Sequence, residues 1–475
     1  MEDSSSKDTS ASAAPKASAS NAPIAKSTDL SGWGRYPIVH SDVYRPEKLS
    51  ELAAVVGDPA PTHLIARGAG RAYGDAAIND RARVLDAQRI NRMLGFDPAT
   101  EILQCEAGVT IAEIIETFLP RGWFMPVTPG TKFVTIGGSI AADVHGKNHH
   151  RDRSLGSHIV WISLMLANGE IVRCSRDHDA DLFWATIGGM GLTGVIIETA
   201  IRLKRVASAW FDSEVVRARD LDEALERFER EDARYGYSVG WIDCLGSGAT
   251  LGRSVITFGN VAERDALPAT TRETPFEVPR RFRAGVPINF PGFALSKATV
   301  KAFNAMWFAI HRDSGRVFID YESFFYPLDM IHDWHRIYGK RGFTQYQCVW
   351  PLAESRAGLI EVLEAIARSG LGSFLTVLKR FGPQEGMLSF PMPGYTLALD
   401  FPITSDLFPL LDRLDQMVLA RGGRVYLAKD SRMKPETFKA MYSEFPRWYA
   451  IKRRVDPDNR FSSSLSRRLK MDVAS

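Results

Sequence analysis

The chain has 475 residues, of which 45% are hydrophobic and 24% charged, and its formal net charge is +3. These are ordinary values for a globular protein, and the length predicts more than one domain. The small net charge argues against a general nucleic-acid-binding protein, so we expect no nucleic acid among its partners.

The first 32 residues are rich in Ser, Ala and Lys and contain no apolar core. This composition predicts a disordered tail rather than a secretory signal peptide. No run of 18 apolar residues follows it, so no membrane-spanning helix is expected. The four cysteines lie far apart and predict neither a disulfide framework nor a metal site. We therefore expect a cytoplasmic protein.

Two glycine-rich segments dominate the first half, which otherwise reads as mixed α+β. RGAGRAYGD (67–75) directly follows a predicted strand, and successive N–H groups in such a turn can bind a diphosphate. PVTPGTKFVTIGGSIAADVHGKNHH (126–150) combines a proline-bounded turn with small hydroxyl residues and two adjacent glycines. Together they predict a bulky dinucleotide held by loops, and FAD fits that description.

A third segment, GMGLTG (189–194), satisfies the G-x-G-x-x-G pattern of dinucleotide-binding proteins. That motif needs a strand before it and a helix after it. Here a predicted helix precedes the glycines and the apparent strand VIIETAIRL follows them, so a Rossmann fold is not expected.

The second half, from about residue 210, alternates predicted strands such as TQYQCVWP (344–351) and YTLALDFPI (395–403) with amphipathic helices. Between them, PRRFRAGVPINFPGFALSK (279–297) is basic, aromatic and aperiodic. Its composition suits contact with an anionic membrane surface, and an ordinary mobile loop is the alternative.

These motifs, together with YLAKDSR (426–432), resemble the vanillyl-alcohol-oxidase type of FAD-dependent oxidoreductase, and most closely the decaprenylphosphoryl-β-D-ribose 2-oxidase family. The resemblance implies an α+β, two-domain PCMH-type FAD-binding fold with an inserted α+β substrate domain, an antiparallel sheet plus helices. The implied divisions are a disordered tail (1–32), the first part of the FAD-binding domain (33–208), a substrate-binding domain (209–422) and a segment completing the FAD-binding domain (423–475).

The resemblance also implies a reaction. FAD would oxidise the C2 hydroxyl of a polyprenylphosphoryl-β-D-ribose, a lipid-linked sugar phosphate, to the 2-keto sugar. An NAD(P)H-dependent short-chain reductase would complete the 2-epimerisation to the arabinose form, a cell-wall arabinan precursor. One alternative is an aldonolactone or alditol type of FAD oxidase acting on a soluble sugar or polyol. Another alternative, from a different class, is a flavin-free scaffold or a metal-binding protein that uses the histidine cluster of His145, His149 and His150.

Site residues are carried over by motif. The implied cofactor-binding residues are Gly68, Ala69, Gly70, Arg71, Ala72, Tyr73, Thr131, Thr135, Gly137, Gly138, Ser139, Ala142, Ile197, Ala428 and Lys429. Lys429 would meet the edge of the isoalloxazine ring, where a cation suits the charge that hydride transfer creates. Some members of the wider superfamily tether FAD through a histidine, but Arg71 stands at that position, so we expect noncovalent FAD.

The implied catalytic residues are His145, the natural base candidate, and Lys429. The implied substrate-binding residues are Lys147, Gln345, Gln347, Lys379 and Tyr73. Alternate residues of a strand share one face, so the two glutamines can point into one pocket.

Two positions depart from the family pattern. Ala398 stands where some members carry a cysteine beside the flavin, and Thr396 replaces a neighbouring asparagine. Hydride chemistry needs no thiol there, so oxidation is expected to survive these changes.

The histidine cluster also raises the question of a metal. A metal site built on His145, His149 and His150 would need a carboxylate or cysteine companion. On a strand, Asp143 would point away from an adjacent residue, so we predict no metal and treat His149 and His150 as supporting residues.

Overall fold

The computed structural model describes residues 22–60, 62–279 and 284–473. The strands are β1 (Lys26–Ser31), β2 (Ile38–Tyr44), β3 (Leu64–Arg67), β4 (Arg83–Asp86), β5 (Met93–Asp97), β6 (Ile102–Glu106), β7 (Trp123–Phe124), β8 (Ile159–Met165), β9 (Ile171–Ser175), β10 (Val195–Arg202), β11 (Lys204–Arg205), β12 (Trp210–Ala218), β13 (Tyr237–Ile242), β14 (Ser254–Val261), β15 (Ala284–Gly285), β16 (Val317–Asp320), β17 (Ile331–His332), β18 (Phe343–Pro351), β19 (Thr376–Phe381), β20 (Gly394–Pro402) and β21 (Arg424–Val425).

The helices are α1 (Leu49–Gly57), α2 (Ile111–Phe118), α3 (Ile136–Ala141), α4 (His149–Asp152), α5 (Ala180–Thr186), α6 (Leu221–Glu231), α7 (Ala269–Arg272), α8 (Lys297–Ile310), α9 (Tyr321–Phe325), α10 (Leu352–Ser369), α11 (Leu407–Ala420), α12 (Pro435–Met441), α13 (Phe445–Val455) and α14 (Ser464–Arg468). Helix α2 illustrates how the local sequence specifies a helix and its first turn. Thr110 and Glu113 form a reciprocal capping box, and the apolar residues at helical spacing are buried.

Three sheets are found in the described part of the first half, the smallest of which pairs β7 with β11. The four-stranded sheet has the order β1-β2-β4-β3, and the five-stranded sheet has the order β5-β6-β10-β8-β9. Strands β8 and β9 form a hairpin, in whose turn Gly169 takes a φ of 84°. The C-terminal segment returns to this half, where Ser462 N donates to Leu64 O at 3.0 Å.

The second half is organised by an eight-stranded sheet with the order β16-β12-β14-β13-β19-β20-β18-β21. Helices α6, α10 and α11 contact its strands, and their apolar residues are buried. This arrangement of mixed helices and antiparallel strands confirms the α+β fold class. Among the described helices, none has the length and hydropathy needed to cross a membrane.

The structure differs from the expected divisions at two limits. Strand β1 lies within the expected tail, because its polar residues pair in antiparallel register with β2, an edge-strand interaction that composition does not reveal. Residues 1–21 of that expected tail lie outside the described residues. Strand β21 pairs with β18 of the eight-stranded sheet, so the chain leaves this sheet after Val425 rather than at 422.

Two local expectations also need correction. Asp143 is not on a strand: it follows α3 in a turn, with a φ of 42°. In the segment 279–297, the expected loop contains β15, which pairs with β17, and a 3-10 turn at Gly292–Leu295. Arg280, Arg281, Phe282 and Arg283, on which its basic character depends, lie outside the described residues.

Candidate active site

A cavity of about 650 Å³ lies where the two glycine-rich segments face the eight-stranded sheet. It gathers nearly all the site residues predicted from sequence: Gly68, Ala69, Gly70, Arg71, Ala72, Tyr73, Thr131, Thr135, Gly137, Gly138, Ser139, Ala142, His145, Lys147, Gln345, Gln347, Lys379, Ala428 and Lys429. Ile197 differs. Its side chain packs in a separate apolar cluster with Leu64 and Met165, and the adjacent Ile196 lines the cavity instead.

The first glycine loop presents its backbone to the cavity. A side chain at Gly68 would overlap the Thr135 hydroxyl, and Gly70 takes a φ of 64° that favours glycine. The loop is fixed from outside, because Tyr73 N donates to Ala428 O at 2.9 Å. Close backbone approach without side chains is what a diphosphate-binding turn requires.

Arg71 extends from this loop between aromatic rings. Its guanidinium carbon lies 4.1 Å from the Trp33 ring centroid and 5.6 Å from that of Phe133. Its Nε is buried and finds no hydrogen-bond partner among the described residues. Burial lowers the pKa of Arg71 from its ordinary value. The position therefore holds a cation that is stacked but incompletely hydrogen-bonded.

The second glycine segment forms α3. The Thr135 side chain caps this helix by accepting from Gly138 N at 3.3 Å, and the Ser139 hydroxyl donates to Thr135 O at 2.8 Å. Gly137 packs so closely against Ala107 that a side chain there would collide with it. Small residues thus leave a flat, backbone-lined wall.

His145 is 7% exposed and lies between this wall and the sheet. Its Nε2 is 3.0 Å from the side-chain nitrogen of Gln347, and its ring meets that of Phe381 edge-on at 4.7 Å. Burial, followed by the charge of Lys379, lowers the pKa of His145 well below its ordinary value. The imidazole is therefore neutral and accepts from the Gln347 amide.

Three lysines point into the same cavity. Burial lowers the pKa of Lys147 to about 7, that of Lys379 to about 8 and that of Lys429 to about 7. Lys147 donates to Phe324 O, and Lys429 lies over the ring of Tyr73. No described carboxylate lies within salt-bridge distance of any of the three. Buried cations normally carry a counter-ion, so the cavity is suited to an anionic ligand.

Asp400 is a site residue that sequence reasoning missed. It is fully buried on β20 and accepts from Gln345 Nε2 at 2.6 Å. Burial raises the pKa of Asp400 to about 7, against the opposing effects of Gln345 and Lys429. The available signal was an acidic residue inside an otherwise apolar strand, since such a residue is rarely buried without a role.

The other two histidines support the site from behind. His149 is fully buried, where its Nδ1 accepts from Gly382 N at 3.2 Å and its Nε2 lies 3.2 Å from Gln384 Oε1. His150 Nε2 lies 3.2 Å from Tyr235 O. Neither lines the cavity, and no cluster of three potential metal ligands occurs within the described ranges.

These residues fit FAD. Two glycine-lined turns supply backbone for a diphosphate, the α3 wall offers a flat surface, and three buried lysines stand at the far side. A model of an FAD-binding domain matches residues 41–175, which include both glycine segments. The fold and site therefore define an FAD-dependent oxidoreductase of the PCMH type, which rules out the flavin-free scaffold.

Comparison with known proteins narrows this class. The chain is 38% identical over 448 residues to the decaprenylphosphoryl-β-D-ribose oxidase of Mycolicibacterium smegmatis (strain ATCC 700084 / mc(2)155), covering 93% of this chain and 97% of that protein. The chain belongs to the decaprenylphosphoryl-β-D-ribose oxidase family.

Other similarities are broader. A Streptomyces coelicolor protein described as uncharacterized, in the mprA 5' region, is 34% identical over 372 residues, 76% of this chain and all of that one. The Yarrowia lipolytica D-arabinono-1,4-lactone oxidase is 23% identical over 34% of this chain and 31% of its own length. The solved structure of Physcomitrella patens BBE-like 1 shares the fold, with a TM-score of 0.64 at 15% identity over 89% of this chain and 90% of that one.

Proposed function

We propose that the protein oxidises the C2 hydroxyl of a polyprenylphosphoryl-β-D-ribose to the 2-keto sugar. The observation that carries the proposal is the set of three buried lysines beside a neutral histidine, in a cavity that also has an apolar wall. A sugar linked through phosphate to a lipid needs a cationic centre, polar groups for hydroxyls and apolar surface. The name of the 38% identical relative supports the same substrate class.

We assign the cofactor side to the glycine segments. Gly68, Gly70, Thr135 and Gly137 would hold the diphosphate and the dinucleotide, and Lys429 would lie at the flavin edge. FAD, when bound, supplies the hydride acceptor. We infer that it is held noncovalently, because Arg71 stands at the tethering position and offers no nucleophile at neutral pH.

We assign proton removal to Lys429. A base works best when its pKa is near the working pH, and Lys429 meets that condition with a pKa of about 7. His145 has a pKa well below its ordinary value, so it is a weaker acceptor than the sequence suggested. In this proposal His145 and Gln347 orient the sugar, Lys147 and Lys379 hold the phosphate, and Gln345 positions Asp400 and Tyr73.

The proposal extends to partners. A 2-keto sugar phosphate requires a second enzyme to become the arabinose form, and an NAD(P)H-dependent short-chain reductase provides that chemistry. The enzyme would be cytoplasmic and would meet its lipid-linked substrate at the membrane surface. In support, Phe293 and Ile288 of the segment 279–297 are 76% and 67% exposed.

The test is anaerobic mixing of the FAD-loaded enzyme with a polyprenylphosphoryl ribose while the visible flavin absorbance is followed. We expect full bleaching, and we expect Lys429→Met to abolish it while the bound flavin spectrum persists. Bleaching by a free polyol but not by the lipid-linked ribose would overturn the proposal in favour of the soluble-substrate oxidase.

A further inference from the structure

On the face of the eight-stranded sheet that lines the cavity, the side chains change from polar to apolar from one strand to the next. One cross-strand row runs from Gln347 through Ala398, Val377 and Trp241 to Val255, each paired with the next. Directly opposed residues point to the same side of a sheet. Beside His145 the row is polar, and beyond Ala398 it contains only apolar side chains.

The neighbouring row repeats the change. Lys379 pairs with Thr396 on the polar side, whereas Thr257 pairs with both Val239 and Val215 further along the sheet. Thr396 is buried, but the other four residues of this row are only partly buried although they belong to the interior of a sheet, and those four line the cavity. The cavity therefore continues over β13, β14 and β12 as an apolar trough.

Helix α8 closes one side of this trough. Trp307 lines the cavity, with its ring centroid 6.5 Å from that of Trp241, and its indole Nε1 is buried with no described partner. The segment that follows α8 is fixed to β12, since Val215 N donates to Ser314 Oγ at 3.0 Å. The outer face of α8 there is apolar, with Ile310 61% exposed.

We infer that this trough is the subsite for the polyprenyl chain and limits how many isoprene units contribute to binding. Trp307 covers the trough, and the residues that form it are Val215, Val239, Trp241, Thr257 and Val377. The inference rests on the proposed function. Lys379 stands on β19, and β12 lies three strands away, so the trough extends about 14 Å from the phosphate-binding lysine. Its far end opens beside the exposed apolar residues of α8, where the rest of the chain would leave.

The inference predicts a dependence on chain length. With the FAD-loaded wild-type enzyme, kcat/KM should rise as isoprene units are added to the phosphoryl ribose, and should level off once the trough is filled. The smallest substrate, with one isoprene unit, should still be oxidised. Equal kcat/KM for the one-unit and long-chain substrates would overturn the subsite, whereas oxidation of neither would overturn the proposed function instead.

A variant separates the trough from the reacting centre. Thr257→Phe places a ring in the middle of the trough, at a residue whose hydroxyl has no hydrogen bond within the described chain. We expect kcat/KM to fall about tenfold or more for the long-chain substrate and to stay within about twofold for the one-unit substrate. Thr100→Phe, at an exposed turn of the other half, is the matched control and should change neither value.

Trp307→Ala provides a second route if Thr257→Phe folds poorly. Loss of the indole should raise KM for the long-chain substrate and leave kcat unchanged, because only binding of the chain is weakened. Equal loss on both substrates, in either folded variant, would show that the chain does not lie in this trough.

Discussion

The ammonium nitrogen of Lys429 lies 3.8 Å from the centroid of the Tyr73 ring. This contact joins the first glycine loop to the segment that follows the eight-stranded sheet, and Tyr73 N donates to Ala428 O beside it. The cation is therefore positioned by both halves of the molecule. Burial lowers its pKa to about 7, although Asp400 opposes the shift.

A pH profile tests the role of Lys429. Only the neutral amine accepts a proton, so flavin reduction by substrate should slow as pH falls below about 7. Asp400→Asn removes the negative charge that raises the pKa of Lys429, so the acidic limb should move to lower pH. The rate of anaerobic bleaching is measured across the pH range for both proteins.

The control for this shift is Asp97→Asn, which replaces an exposed carboxylate at the end of β5 in the other half. Asp97→Asn should leave the acidic limb of the pH profile at the same pH as in the parent. An acidic limb that stays in place in Asp400→Asn would remove Lys429 from the proton-transfer step.

Lys379 should lower the free energy of unfolding of the flavin-free protein. Its pKa is about 8 in the folded chain and 10.5 in the ordinary state, so the unfolded chain binds the proton more readily. Lys379→Met should raise the free energy of unfolding by about 0.5–2 kcal/mol at neutral pH while lowering turnover severely. Thermal unfolding of the flavin-free proteins measures the first effect.

The pH dependence of the stability difference between Lys379→Met and the parent gives a second measurement. Above about pH 10.5 both states are neutral, so the advantage of Lys379→Met should vanish. It should grow as pH falls towards about 8 and remain constant below. Lys301→Met, on the exposed face of α8, is the control and should show no such gap. A lower Tm for Lys379→Met than for the parent would contradict the prediction.

Sequence patterns predicted local structure where a short-range physical signal existed. The strands β18 and β20 and the amphipathic helices α10 and α11 follow from local sequence patterns alone. The face shared by Gln345 and Gln347 also followed from strand alternation. Local patterns did not reveal β1, because its residues are mostly polar although it pairs with the neighbouring β2. They did not reveal the turn at Asp143 either, because its hydrogen-bond partners Gln384 and Ser389 lie far away in the chain.

The site was predicted mainly by motif resemblance, and its electrostatics were not. No local pattern states that Asp400 lies near Lys429, since this proximity arises from the order in which β20 and β18 pair. The lowered pKa of His145 likewise depends on burial against Phe381 and on the charge of Lys379. The motif resemblance placed Ile197 at the cofactor, whereas its side chain packs away from the cavity, because a motif does not state where a side chain points.

The flavin should be released by acid precipitation. Arg71 stacks on Trp33 and presents no imidazole to the cofactor, so no covalent bond is expected. After precipitation and centrifugation, we expect the yellow colour and the flavin absorbance in the supernatant. Flavin that remains with the denatured pellet would show a tether.

Membrane contact should depend on the exposed apolar residues near α8. Phe293 and Met306 are 76% and 51% exposed, and a charge at either would be costly in a lipid interface. Phe293→Glu with Met306→Glu should reduce flotation with anionic liposomes without lowering kcat on a one-isoprene-unit substrate. The matched control is Leu352→Glu, an exposed residue at the start of α10. Unchanged flotation of the double variant would rule out this surface.

Asp143 should stabilise the turn that carries His145. It is fully buried and accepts four hydrogen bonds: from the hydroxyls of Ser154 and Ser389 at 2.6 Å each, and from Gly156 N and Gln384 Nε2 at 3.0 Å each. Asp143→Ala leaves these donors buried without an acceptor, so we expect a loss of about 2–4 kcal/mol in the free energy of unfolding.

Asp143→Asn separates the backbone requirement from the charge. Asparagine tolerates the φ of 42° at this position and keeps one oxygen acceptor. It should therefore lose less stability than the alanine variant, as chemical denaturation will measure. If Asp143→Ala were as stable as the parent protein, the hydrogen bonds would contribute nothing to the turn. If folded Asp143→Asn also bleached flavin more slowly at saturating substrate, the turn would be shown to position His145 as well as to support it.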